Sequence, residues 1–181
     1  MAQRVLFDTQ RFNITVTRLS HQLLENHGDF ANACIVGIQP RGVFLAQRIH
    51  NYLSKLLKRD IAFGKLDNTF YRDDFRSSDK QLTPSQTEMN FTVENKTVIL
   101  VDDVMYTGRT IRAAMDALLD FGRPKKVELL VLVERRFSRE LPIQPDYVGL
   151  YVDSIAEEKV RVDWKEQGDD DKIVMVPINK P

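Results

Sequence analysis

Cysteine is almost absent from this 181-residue chain, Cys34 being the only one. A disulfide within the chain is excluded, and a cysteine-based zinc site is disfavoured. Cys34 falls inside the apolar run "ACIVGI", where it reads as a buried strand thiol. Net charge is absent too, with 26 basic and 26 acidic residues. No global field draws such a chain onto nucleic acid, so a basic face would have to be local. No apolar run is long enough to span a bilayer, and "MAQRVLFDTQ" lacks the apolar core of a signal peptide. The expectation is a cytoplasmic protein without a membrane partner. Two nucleotide-binding fingerprints are missing as well. There is no G-x-x-x-x-G-K-[ST] and no G-x-G-x-x-G, and "GIQPRGV" (Gly37 to Val43) has two glycines without the Lys-[ST]. A nucleoside triphosphatase and a dinucleotide oxidoreductase are therefore disfavoured. His21, His27 and His50 have no metal-ligand spacing, and no repeat or low-complexity linker interrupts the chain.

What is present suits one α/β domain over residues 1–181. Hydrophobic content of 43% and charged content of 29% are ordinary for a globular protein. After "VLFD", residues Phe12, Val16, Leu19 and Leu23 recur at helical spacing, with Thr17, Arg18 and His21 off that stripe. Ala33 to Ile38 is continuously apolar, as in a strand buried on both faces. A helix is expected from Gly42 to Leu57, then a strand over Ile61 to Leu66. "RDDFRSSDKQLTPSQTEMN" has no period and reads as a long functional or disordered loop. "TVILVDD" is the most apolar strand. The segment Arg109 to Phe121 is expected to be helical, with Ile111, Met115 and Leu118 (or Leu119) inward, and Gly122 and Pro124 to stop it. "VELLVLV" and "YVGLYV" are further strands, and "KVRVDW" with "KIVMV" forms a terminal hairpin. Strands alternating with helices predict a mainly parallel central sheet.

One stretch carries most of the chemistry: "VILVDDVMYTGRT", Val98 to Thr110. Open α/β sheets bind ligands at the carboxyl ends of their strands, where Asp102 and Asp103 are expected. "MYTGRT" then leads into a helix N-terminus, whose free N–H groups and dipole favour a phosphate. Gly108 would allow a tight turn, and the Thr107 and Thr110 hydroxyls can donate. Carboxylates accept hydrogen bonds only, and vicinal sugar hydroxyls are suitable donors. The stretch fits a ribose 5-phosphate, with hydroxyls on the acids and phosphate in the loop. Two other readings are a solvated acidic turn before a capped helix and a Mg²⁺ site for phosphoryl transfer, the latter without its usual Walker partner.

This stretch resembles the 5-phosphoribosyl-1-pyrophosphate (PRPP) signature of type I phosphoribosyltransferases. That signature is four apolar residues, two acids, two variable positions and a Thr-Gly-containing phosphate loop. With "TFYRDDF", "VGIQPRGVFLAQRI" and "RELPI…DYVG", the chain from Thr17 to Val160 is similar to the bifunctional pyrimidine operon attenuation regulator and uracil phosphoribosyltransferase family. The resemblance implies a type I phosphoribosyltransferase-like fold with a C-terminal β-hairpin region. It implies formation of UMP and pyrophosphate from uracil and PRPP, with Mg²⁺ carried by PRPP and not caged by the protein. Gln39, Pro40, Arg41 and Gly42 would face the pyrophosphate, and Arg72 in a mobile loop would contact substrate. Asp102 and Asp103 would be the catalytic pair on the ribose, which of them handles a proton being left open. Val104 and Met105 would complete the PRPP site, and Tyr106, Thr107, Gly108, Arg109 and Thr110 would hold the 5-phosphate. Glu134 and Arg135 match the family's acid-Arg pair near the base, and Val160 matches a base-lining position.

The family also binds a stem-loop of the pyrimidine-operon mRNA leader, with UMP favouring binding. Thr17, Arg18, His21 and Arg139 match positions that carry RNA contacts. A homodimer or higher homo-oligomer is implied. The chain departs from the family pattern at Arg136-Phe137-Ser138, where Gly-His is usual, and at Gln144, where an Arg is usual. Those departures keep two alternatives open: a catalytically weak nucleotide-sensing, RNA-binding regulator, and a type I phosphoribosyltransferase for another base.

Overall fold

A computed structural model describes residues 3–74, 83–153 and 158–178. Its centre is a five-stranded sheet in which all neighbours are parallel. From edge to edge the strands are β3 (Phe63–Leu66), β2 (Ala33–Ile38), β4 (Thr97–Met105), β5 (Lys126–Arg136) and β6 (Tyr147–Asp153). Alternate residues of the inner strands enter two cores. Ile35, Ile99, Val101, Leu130 and Leu132 pack with α1 (Thr9–His27) and α2 (Gly42–Leu57) on one face. Val36, Val98, Leu100, Leu129 and Val131 pack with α3 (Arg109–Leu118) on the other. Burial on both faces is why these strands read as unbroken apolar runs.

The connections fix where the two outer helices go. β2 passes through α2 to β3 on one side, and β4 passes through α3 to β5 on the other. Right-handed crossovers that run in opposite directions place their helices on opposite faces. The strand order therefore reverses between β2 and β4, and the parallel register brings both carboxyl ends to one edge.

A second, three-stranded antiparallel sheet has the order β1-β8-β7. The expected hairpin is present as β7 (Glu158–Asp163) and β8 (Lys172–Pro177), with Val160 opposite Met175 and Val162 opposite Ile173. The sequence pattern did not show β1 (Arg4–Phe7), whose four residues are too few for a periodic signal. Val160, Val162, Trp164, Ile173 and Met175 close the core over α1 and α2. Trp164 is fully buried and meets Phe12 edge-on at 5.3 Å. The Arg48 guanidinium lies 5.2 Å from the Trp164 ring. It donates to Glu166 at 2.8 Å and to Asp171 at 2.7 Å. Burial works against the Arg48 charge, but these two carboxylates outweigh it and raise its pKa.

Most element expectations are met, with local differences. Phe12, Val16, Leu19 and Leu23 are all buried on α1, whose N-cap Asp8 accepts from the Arg11 N–H at 2.9 Å. β3 begins at Phe63, two residues later than expected. The helical stretch after Arg109 ends at Leu118, and Leu119–Phe121 is a 3₁₀ turn. Leu118 takes the inward position there and Leu119 is exposed. β4 runs past the two acids to Met105. Of the polar stretch, residues 75–82 lie outside the described residues, and with them Phe75 of "TFYRDDF". Cys34 is fully buried, and burial pushes its thiol up to about 11.

Replacing Trp164 with Ala should lower the unfolding free energy by about 3–5 kcal/mol, as for other fully buried large aromatics. A urea titration followed by circular dichroism would measure it, since Trp164 is the chain's one tryptophan. An unchanged midpoint would show that the second sheet adds nothing to the core.

Candidate active site

The site forms where the strand order reverses. α2 starts almost on top of β4: a Cβ at position 42 would stand 2.4 Å from the Val101 carbonyl and 3.2 Å from Asp102 Oδ1. Only glycine allows that approach. The chain reaches it through a cis Gln39–Pro40 peptide, with Arg41 as N-cap of α2. Gly42 and Arg41 thus lie beside the acids of β4, and Pro40, Arg41 and Gly42 do not line the main cavity.

That cavity has a volume of about 560 Å³. Arg72, Asp102, Val104, Met105, Tyr106, Thr107, Gly108, Arg109 and Thr110 line it, together with Asp73, Asp74 and Ile111. Nine residues singled out from the sequence therefore share one hollow. Asp73, Asp74 and Ile111 were not singled out; the two acids stand in "YRDDF" and were read only as loop. Gly108 has φ 93°, a left-handed backbone that suits glycine, and it starts α3. The first-turn N–H groups of α3 have no acceptor within the helix, so an anion there would be held by amides and by the helix dipole. The Asn68 side-chain amide donates to the Thr110 carbonyl at 2.8 Å and ties the Thr69–Tyr71 turn to α3. No feature of the sequence marked Asn68.

The two acids differ in setting. Asp102 lines the cavity, and its Oδ1 accepts from the Asp103 N–H at 2.9 Å. Burial, and then the charge of Asp103, hold its carboxyl well above the usual carboxylate range. Asp103 accepts from the Val104 N–H at 2.7 Å through Oδ1, while its buried Oδ2 has no hydrogen-bond partner among the described residues. Burial raises the Asp103 pKa as well, against the pull of the Arg41 charge. Two buried carboxylates with spare acceptor capacity suit a ligand that brings hydroxyl donors. Among the described residues no group of three or more His, Cys, Asp or Glu side chains could cage a metal.

Cations flank the acids. Arg72 makes a two-bonded pair with Asp74 at 2.8 and 2.7 Å. Arg109 is paired with Glu140 and with Asp73, both at 2.6 Å. Arg135 is buried, with its guanidinium 4.0 Å over the Tyr106 ring and one N–H on the Glu158 carbonyl at 2.7 Å. Val160 sits in the core of the second sheet and not on the cavity wall.

The residues matched to RNA contacts fall in two places. Thr17, Arg18 and His21 are exposed on α1, away from the cavity. Arg18 donates to the Gly149 carbonyl at 2.8 Å, and His21 meets the Tyr52 hydroxyl at 2.8 Å. Arg139 is instead beside the loop after β4, bonded to the Tyr106 carbonyl and to Glu134, and does not line the cavity. At the departure from the family pattern, Phe137 is highly exposed and held at φ 66°, where the usual glycine would be unstrained.

Comparisons with known proteins agree with this geometry. Residues 3–167 match the family model described as "Phosphoribosyl transferase domain". A "Bifunctional protein PyrR" of Haemophilus ducreyi is 45% identical over 160 residues, covering 88% of this chain and 89% of that protein. One from Desulfosudis oleivorans is 44% identical over 176 residues, covering 97% and 96%. Among solved structures, the hypoxanthine phosphoribosyltransferase of Trypanosoma cruzi superposes with a TM-score of 0.69 at 14% identity, covering 96% of each chain. That of Staphylococcus aureus gives 0.64 at 18% identity, covering 84% of this chain and 80% of the other. At such identity these two attest the fold alone. With the family model spanning most of its length and curated relatives above 40% identity, the chain belongs to the phosphoribosyltransferases, within the family of the bifunctional PyrR proteins.

Proposed function

We propose that the chain transfers the phosphoribosyl group of PRPP to uracil, giving UMP and pyrophosphate. The observation that carries this reading is the meeting of Asp102 and the Gly108-turned start of α3 on one cavity where the strand order reverses. In this reading the acids hold the ribose hydroxyls, and Tyr106 to Thr110 hold the 5-phosphate. Arg41 and Gly42, beside Asp102, take the pyrophosphate. Arg72 covers the reacting centre and Arg135 offers donors to the base carbonyls. Val160 supports the base end from the second sheet. Mg²⁺ bound to the PRPP oxygens would screen the substrate's charge.

The step itself is a displacement. A ring nitrogen of uracil forms its bond to C1 of the ribose as the bond from C1 to the pyrophosphate oxygen breaks, and the electron pair leaves with pyrophosphate. The nitrogen's proton passes to Asp102, whose proton affinity burial has raised. The chain's contribution is mainly positioning and charge stabilisation.

Purified protein with PRPP, Mg²⁺ and labelled uracil should yield UMP and pyrophosphate, with hypoxanthine, adenine and orotate in parallel. Turnover with one of those bases and not uracil would overturn the uracil assignment. Asp102→Asn should lower kcat by about 10²-fold or more. Activity should fall on acidification at a higher pH than an ordinary carboxylate dictates, because Asp102 is needed ionised and its pKa is raised.

The same residue predicts a stability effect of opposite sign. A carboxyl whose pKa is raised on folding favours the folded state below its unfolded pKa. That advantage is lost as pH rises through the folded value. Asp102 therefore destabilises the ligand-free protein at neutral pH. Asp102→Asn should raise the melting temperature at pH 7.5, and the gain should shrink as pH is lowered toward 5. An equal gain at both values would show that charge burial is not its cause.

The reading extends to regulation through a pyrimidine-operon mRNA leader. The exposed Thr17, Arg18 and His21 on α1 support it. Filter binding should show UMP-dependent affinity for the leader stem-loop that falls with salt. Binding that is insensitive to Arg18→Ala would remove α1 from the interface.

A further inference from the structure

The connection from β5 to β6 contacts the loop after β4 through Arg139, Glu140, Leu141 and Ile143. Arg139 Nη1 donates to the Tyr106 carbonyl at 2.8 Å. Its Nη2 donates to Glu134 at 2.6 Å, at the end of β5. The N–H groups of Glu140 and Leu141 both donate to the Thr107 carbonyl, at 3.1 and 3.2 Å. The Glu140 carboxylate accepts from Arg109 at 2.6 Å. Leu141 and Ile143 lie under Gly108, within 3.5 to 3.7 Å of where a Cβ would stand.

These bonds all take the loop's carbonyls to one side. In a trans peptide the N–H points opposite to the carbonyl of the same plane. The one cis bond among the described residues is Gln39–Pro40, so the loop peptides are trans. Holding back the carbonyls of Tyr106 and Thr107 therefore turns the N–H groups of Thr107 and Gly108 the other way. That side is the cavity these residues line. An unheld loop could present carbonyls there, and carbonyl oxygens repel phosphate.

We propose that Arg139, with the backbone of Glu140 and Leu141, is the positioning element of the anion site: it aims the loop's N–H groups at the 5-phosphate. Arg139 is the member whose side chain holds a loop carbonyl, and it links the loop to the end of β5 through Glu134. It acts through Tyr106 and touches no reacting atom. This role is separate from any contact with RNA, and it rests on the phosphoribosyl reading of the cavity.

The test compares wild type, Arg139→Gln and Arg139→Lys by calorimetry with UMP and with uridine, and by steady-state kinetics. Arg139→Gln should weaken UMP about tenfold or more, the loss expected for a charged hydrogen bond. Uridine, which lacks the phosphate, should be unaffected. KM for PRPP should rise in parallel, with kcat changed much less, since binding common to ground and transition states is what is lost. Arg139→Lys, which can still donate to one carbonyl, should recover part of the UMP affinity. Equal weakening of UMP and uridine, or no change in either, would overturn the proposal, as would loss of RNA affinity alone. Tight UMP binding by a wild type that turns over no base would sink the enzymatic reading and leave the clamp to be judged by the UMP-to-uridine ratio. A wild type that does not prefer UMP to uridine would overturn both.

Discussion

The close approach of Gly42 to β4 is the constraint on which the site depends. With no side chain at residue 42, the first turn of α2 rests against the Val101 carbonyl and the Asp102 backbone. The loop after β2 and the loop after β4 are then neighbours across the switch of strand order. One offers Arg41 and the other offers the start of α3. A methyl group there would displace backbone and not a flexible side-chain end. The displacement would separate the two anion-facing loops and move the acid between them.

Charge is buried in two ways in this chain, and the contrast is informative. Arg48 is enclosed, but Glu166, Asp171 and the Trp164 ring surround it, so its charge is compensated. It helps to seal the second sheet over α2. Asp102 and Asp103 are more deeply enclosed, without an equivalent cation bonded to them among the described residues. The N–H of the following residue satisfies one oxygen of each carboxylate, and one oxygen of Asp103 is left without a partner among the described residues. Uncompensated burial costs stability, and such sites are typical of functional centres. A hydroxyl-bearing ligand that donates to these oxygens would supply what the fold withholds.

Long-range hydrogen bonds tie down the loop between β4 and α3. Its carbonyls are held by the β5–β6 connection, and Asn68 and Arg112 tie the helix that follows it to the Thr69–Tyr71 turn. The loop is thus bonded to segments distant in sequence, Arg139 being 33 residues from Tyr106.

Much of this protein was legible in the chain alone. Continuous apolar runs marked β2, β4 and β5, because strands covered on both faces have no polar side to show. Helical spacing of Phe12, Val16, Leu19 and Leu23 located α1 and its inward face. The run of apolar residues, paired acids and Thr-Gly in Val98 to Thr110 is local, so its strand, turn and helix start could be read directly. Tertiary structure alone decided the rest. β1 is too short to have a period and exists because β8 offers it an edge. Asp102 and Asp103 look equivalent in sequence, and only packing puts one on the cavity wall and leaves the other facing Arg41's charge. Asn68 and Arg139 acquire their places from hydrogen bonds to distant backbone, and Asp73 from the Arg109 guanidinium, which no local pattern encodes. Residue types and their period are set along the chain, whereas the partner of each polar group is set by which strands lie side by side.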